Sequence, residues 1–120
     1  MDYKQLRQLR WLPGEILRTK AQLEVMPKIP EFTDRSKALA SHLEQCLQEY
    51  EEGMNFIESV PDSHMRQILN LHFAEGMSYR RVCAVIGGGN TPEGLRKQCT
   101  RYLSKCQALK RKGDPLDRNQ

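Results

Sequence analysis

Arg80, Arg81, Arg96, Lys97 and Arg101, with the single carboxylate Glu93 among them, are the residues whose types and spacing could do chemistry here. From Arg80 to Lys112 the chain carries nine basic residues against that one acid. Such a density of cations points to an anionic partner. The rest of the chain differs. Residues 1–60 hold eight basic and ten acidic groups, net −2, whereas residues 61–120 hold eleven and five, net +6. Between Ala38 and Met65 there are six acids and no Lys or Arg. The anionic partner is therefore expected on the C-terminal half alone.

Two short helices must position these cations. Ser78 is placed to cap the first, Ser78–Ile86, with Met77 and Val82 stapling it and Val82, Val85 and Ile86 facing the core. Gly87-Gly88-Gly89 ends it. Thr91 caps the next helix, Thr91–Cys106, with Pro92 at its first position, where a missing N–H costs no bond. Leu95, Cys99, Tyr102, Leu103, Cys106 and Leu109 recur on one face of that helix. Glu93, Arg96 and Lys97 in its first turn, and Arg101 one turn on, lie away from this face and can point outward together. The pair reads as a helix-turn-helix. A capped helix end offers free N–H groups to phosphates, and the helix behind it can lie in the major groove.

The upstream elements are also helical; no segment alternates with period two. Leu9, Leu12, Ile16, Thr19, Leu23 and Met26 step by three and four. Pro13-Gly14 interrupts this stripe, so a kink, or a short first helix followed by a second, is expected there. Pro27 and Pro30 close the segment. A second long helix should start near Thr33 or Asp34, either able to cap it. Along it Leu39, Leu43, Cys46, Tyr50, Gly53, Ile57 and Val60 follow a four-three spacing, widened by Leu47 and Met54. Two such segments with a short Pro-bounded connection predict an antiparallel hairpin. A third helix opens at Pro61-Asp62-Ser63, buries Met65, Ile68, Leu69 and Phe73, and stops at Gly76.

Other chemistries find little support. No apolar run approaches the ~20 residues of a membrane span. The first fifteen residues are charged throughout and lack a signal's apolar core. Four cysteines, Cys46, Cys83, Cys99 and Cys106, form no C-x-x-C pair, which suits reduced thiols in the cytosol. His42 and Cys46 sit four apart on one helix face, a spacing metals use, but no second pair follows, so no metal is expected. His64 and His72 are expected at a solvent edge, and Cys83 as a buried, inert thiol. The glycines lack the Lys-Ser/Thr of a nucleotide loop. No nucleophile–base arrangement suggests an enzyme, and no cofactor is implied.

The residues do resemble a known family. VPDSHMRQILNLHFAEGMSYRRVCAVIG is similar to the front of region 4 of bacterial sigma factors, and GNTPEGLRKQCTRYLSK to its recognition helix. The layout of the whole chain resembles phage-encoded late-gene transcription regulators of the RinA and ArpU types. By that resemblance Thr91 caps the recognition helix and touches phosphate, Glu93 accepts from a cytosine amino group, and Lys97 reads bases. Arg96 faces the backbone, and Ser78, Tyr79 and Arg80 form a phosphate-contacting helix start. The turn Gly87–Asn90 is about two residues longer than the family's tight turn, and Pro92 stands where sigma factors place a polar base-reader.

The expectation is an all-α protein: residues 1–60 a helical hairpin for support, oligomerisation or partner binding, residues 61–112 a sigma-region-4-like helix-turn-helix, and residues 113–120 a disordered tail. Its function would be regulation of phage or prophage transcription in the bacterial cytoplasm or an infected host. The partners would be promoter DNA, with RNA polymerase and a second copy as further candidates. Two alternatives remain open: a DNA-packaging module of the small-terminase type, and a protein-interaction module that keeps the sigma-like shape to bind polymerase or a host factor.

Overall fold

Asp2 begins the chain's structure with a reciprocal cap. Its carboxylate accepts from the Gln5 N–H at 2.8 Å, and its own N–H donates to Gln5 Oε1 at 2.9 Å. This cap opens α1 (Tyr3–Gln8), the first of six α-helices in a computed structural model that describes residues 1–111 and contains no strand among them. The tail expected to be disordered, 113–120, lies outside the described residues. A turn at Leu9–Trp11 leads into α2 (Leu12–Val25), so the interruption near Pro13 takes the form of two helices. Pro13 falls in the first turn of α2, where the missing N–H forfeits no intrahelical bond.

A 3₁₀ turn at Pro30–Phe32 feeds α3 (Thr33–Glu58). The expected cap differs: the position before α3 is Phe32, no side chain caps it, and Thr33 and Asp34 lie inside its first turn. There Asp34 faces the positive end of the helix dipole. Twenty-six residues at ~1.5 Å each make α3 a rod of roughly 39 Å. Its neighbour is α2, running in the opposite direction: Ser36 meets Met26, His42 meets Glu15, and Gly53 meets Leu9. The approach at the last pair is close. A Cβ on Gly53 would stand 2.6 Å from Leu9 Cδ1, so the stripe needs a glycine there to let Leu9 in.

A short connection through the buried Val60 leads to α4 (Ser63–Leu69), whose Asp62 cap accepts from the Met65 N–H at 2.9 Å. The helix then widens into a π turn, Asn70–Ala74, in which the Glu75 N–H reaches back five residues to Asn70. Gly76, at φ +75°, stops it. Next come α5 (Tyr79–Ile86) and α6 (Pro92–Arg111), packed on each other. Three consecutive left-handed residues, Gly87, Gly88 and Gly89, turn the chain between them. L side chains rarely adopt that backbone, and Asn90 closes the turn by donating Nδ2–H to the Gly87 carbonyl at 2.7 Å.

One core cluster joins Leu6, Leu9, Leu12 and Ile16 through Cys46, Ile57 and Val60 to Phe73, Val82, Leu95, Cys99 and Leu103. It crosses the boundary at residue 60. α1 packs against the π turn, and Leu6 is wholly buried there. Two apolar expectations are corrected. Val85 is 56% exposed, because the two-turn α5 presents Val82 and Ile86 inward and leaves Val85 on its outer flank. Leu47 is 42% exposed, on the side of α3 that α2 does not cover.

Candidate nucleic-acid interface

Thr91 fixes the start of α6 by accepting the Gly94 N–H on its hydroxyl at 3.0 Å. A Cβ at Gly94 would lie 2.9 Å from that oxygen, so the glycine that weakens the helical turn also leaves room for its cap. From this cap Glu93, Arg96, Lys97, Thr100 and Arg101 recur at three- and four-residue steps, and all are exposed. Leu95, Cys99 and Leu103 occupy the opposite face and are buried. The packing of α6 therefore turns the expected residues outward together.

Within that stripe Glu93 and Arg96 are paired. Arg96 Nε–H donates to Glu93 Oε2 at 3.1 Å, and its terminal nitrogen donates to Oε1, a two-point fork. The hydrogen bonds from Arg96, with the nearby Arg96 and Lys97 charges, hold the Glu93 carboxyl below the usual carboxylate range. Glu93 is thus ionised and accepts hydrogen bonds. Both members remain about half exposed, at 60% and 49% of their side chains, so either is open to a competing partner.

At the start of α5 the Ser78 hydroxyl accepts the Arg81 N–H at 3.2 Å, and Ser78, Arg80 and Arg81 are exposed. Tyr79 is placed differently from a phosphate contact. Its ring stacks on His72 at 3.8 Å between centroids and 17° between planes. Its hydroxyl is enclosed near Tyr3 and Cys99 with no partner at hydrogen-bonding geometry, and burial holds it protonated. Tyr79 thereby anchors the start of α5 to the π turn, with its hydroxyl turned inward.

His72 is also more enclosed than a solvent-edge residue. Its Nδ1 lies 2.6 Å from the Met77 carbonyl, which can only accept, so Nδ1 carries the proton. Burial lowers its pKa, partly offset by that hydrogen bond. His72 also meets Phe73 edge-to-face at 4.8 Å, and Phe73 meets Tyr3 at 5.4 Å. An aromatic column, Tyr3–Phe73–His72–Tyr79, therefore ties α1 to α5. Cys83, expected to be buried, is only partly so.

Sequence reasoning allowed a short first helix but overlooked its cations. Arg7 lies over the Tyr3 ring at 5.9 Å, and Arg10 runs past Gly76 to reach the Trp11 ring at 5.0 Å. Tyr3, Arg7 and Arg10 line a depression with His72, Phe73 and Tyr79, beside the start of α5. On the far side of Tyr3 a second depression includes Arg96 and Thr100 of α6. The helix assigned to the acidic half thus adds cations beside the basic module. Two signals were readable: the Asp2-x-x-Gln5 capping box, and Lys4, Arg7 and Arg10 at steps of three.

A separate cluster lies between α2 and α3. Glu15 Oε2 is 2.7 Å from His42 Nε2, and Cys46 Sγ is 3.6 Å from the same nitrogen. The sequence offered the His42–Cys46 pair but no partner for it; the packing of α2 supplies Glu15. Burial first, then the Glu15 and Glu49 charges, raises the Cys46 thiol pKa.

No protein-family model, no curated protein and no solved structure matches this chain. Its class rests on its own geometry: among the described residues, an all-helical fold of six helices, none long and apolar enough to cross a membrane.

Proposed function

We propose that this chain is a sequence-specific double-stranded DNA-binding protein that regulates transcription. In this reading α2 and α3 form an antiparallel hairpin that braces a sigma-region-4-like helix-turn-helix, α5–glycine turn–α6. The observation that carries it is the exposed stripe Glu93–Arg96–Lys97–Arg101, running from a capped helix start with a buried apolar face behind it. A major groove admits a helix carrying such groups: the cations can reach a base edge or a phosphate, and the carboxylate can accept from a base amino group. Arg80 and Arg81 on α5, and Arg7 and Arg10 on α1, supply flanking cations for the backbone. The resemblance to RinA- and ArpU-type regulators suggests phage or prophage late promoters as the targets and RNA polymerase as a second partner.

Footprinting on the DNA flanking its own gene, with and without polymerase, tests the reading. A protected site of defined sequence supports it; uniform, sequence-independent coverage opposes it. A stable ring of eight or more copies would instead favour the packaging alternative. A protein-interaction module is the second reading, favoured by the exposed acids Glu44, Glu49, Glu51 and Glu52 and the exposed Leu47 on α3. Salt-insensitive binding to a protein, without any DNA shift, would select it.

A further inference from the structure

The Glu15–His42–Cys46 cluster combines three ligand types that borderline-soft divalent metals accept: a carboxylate oxygen, an imidazole nitrogen and a sulfur. The three atoms all lie within 4.8 Å of one another. His42 and Cys46 are one helical turn apart on α3, and Glu15 reaches them from α2, so two separate elements converge on one point.

The spacing is close to what a tetrahedral ion needs. With metal–nitrogen and metal–sulfur bonds of about 2.0–2.1 and 2.3 Å, nitrogen and sulfur ligands stand about 3.5 Å apart. The observed Nε2–Sγ separation is 3.6 Å. The Nε2–Oε2 separation, 2.7 Å, is that of a hydrogen bond. It must open to about 3.3 Å for a nitrogen and an oxygen on one zinc ion. Glu15 and His42 are nearly half exposed, at 43% and 46% of their side chains, so both can make that adjustment. Their exposure also gives an ion an entry path, while the buried Cys46 forms the floor.

We infer that Glu15, His42 and Cys46 form a binding site for a divalent transition-metal ion of the zinc type, with solvent water as the fourth ligand. The ion takes the position between Glu15 Oε2 and His42 Nε2, with the neutral imidazole carrying its proton on Nδ1, and the Cys46 thiol releases its proton to solvent on binding. The ion thereby clips the first turn of α2 to the middle of α3. The site is independent of the DNA-binding reading, which could fail without affecting it.

Titration of the reduced, tag-free full chain with cobalt(II) tests the inference. A sulfur-to-cobalt charge-transfer band that saturates at one equivalent, and is displaced by zinc, is expected. Cys46→Ser should abolish the band. Because Cys46 is buried and its variant could be unstable, Glu15→Gln and His42→Asn at the exposed positions provide the second arm. Loss of an outer-shell partner alone weakens metal affinity about 10- to 100-fold, so loss of a ligand should weaken it at least about tenfold. Both variants should keep the metal-free melting temperature of the parent to within a few degrees. Absence of the band in the parent would overturn the site. So would a band that persists in Cys46→Ser, which would place the metal on another cysteine, or unchanged affinity in both Glu15→Gln and His42→Asn.

Discussion

Arg96 grips both carboxylate oxygens of Glu93 one helical turn away, so the acid of the exposed α6 stripe and its neighbouring cation act as a unit. Removing either member changes the other. On the DNA-binding reading proposed above, Glu93→Ala would free a guanidinium for phosphate as well as delete an acceptor for a cytosine amino group.

Two effects are expected from that variant. Discrimination at one or two base pairs should relax by on the order of tenfold to a hundredfold, since a good side chain–base pairing is worth that much. Affinity for unrelated DNA should hold or rise slightly. Arg96→Ala should instead weaken all sequences alike and lower the salt slope by about one. Binding series over single-base operator variants separate these cases. If Glu93→Ala tightens every sequence by the same factor, Glu93 is a surface acid that merely repels the duplex.

DNA affinity should fall steeply with ionic strength. If Arg80, Arg81, Arg96, Arg101 and their neighbours contact four to six phosphates, the log–log slope is about −4 to −5. The α1 cations sharpen this expectation: Arg7→Ala with Arg10→Ala should make the slope shallower by about one to two, although residues 1–60 are acidic overall. A slope near zero in the parent would rule out counterion release and with it the nucleic-acid reading.

Gly53→Ala should destabilise the fold even though alanine favours helices. The propensity gain is about 1 kcal/mol. Against it stands overpacking, typically about 1–3 kcal/mol, because the new methyl meets Leu9 at 2.6 Å and Leu9 is itself enclosed at 1% exposure. Leu9→Ala alone should cost ~2–5 kcal/mol by leaving a cavity, and the double variant should cost less than the sum. Urea denaturation of the four proteins gives the coupling. Strict additivity would show that the two side chains do not compete for the same space.

Acid should loosen the start of α5 through His72. Its pKa is lowered in the folded chain, so the unfolded chain binds the proton more readily. Its stabilising contribution is then present in full above the ordinary histidine pKa of 6.5 and is lost as pH falls from there through the folded value. Melting temperature should therefore decline below about pH 6.5, and His72→Phe, which keeps a ring for Tyr79 to stack on, should flatten that decline. An unchanged pH profile in His72→Phe would assign the acid sensitivity elsewhere.

The sequence by itself determined the helical character of the described residues, although it left open whether the interruption at Pro13-Gly14 was a kink or a break between two helices. Apolar steps of three and four are properties of a single chain segment, as are the Ser78, Asp62 and Thr91 caps and the glycines at 76 and 87–89. It also determined that Glu93, Arg96, Lys97 and Arg101 share one side of α6, because helical periodicity alone fixes relative direction. What it could not determine were relationships between segments. That α1 docks on the π turn and brings Arg7 and Arg10 beside α5 depends on where Leu6 finds burial. That Tyr79 turns inward to His72 depends on the five-residue step of the backbone at Asn70–Ala74, which periodicity does not reveal. Glu15 joins His42 and Cys46 for the same reason. Ligands on separate helices meet only when packing fixes the register between them, and here that register is set by Leu9 entering the space left at Gly53.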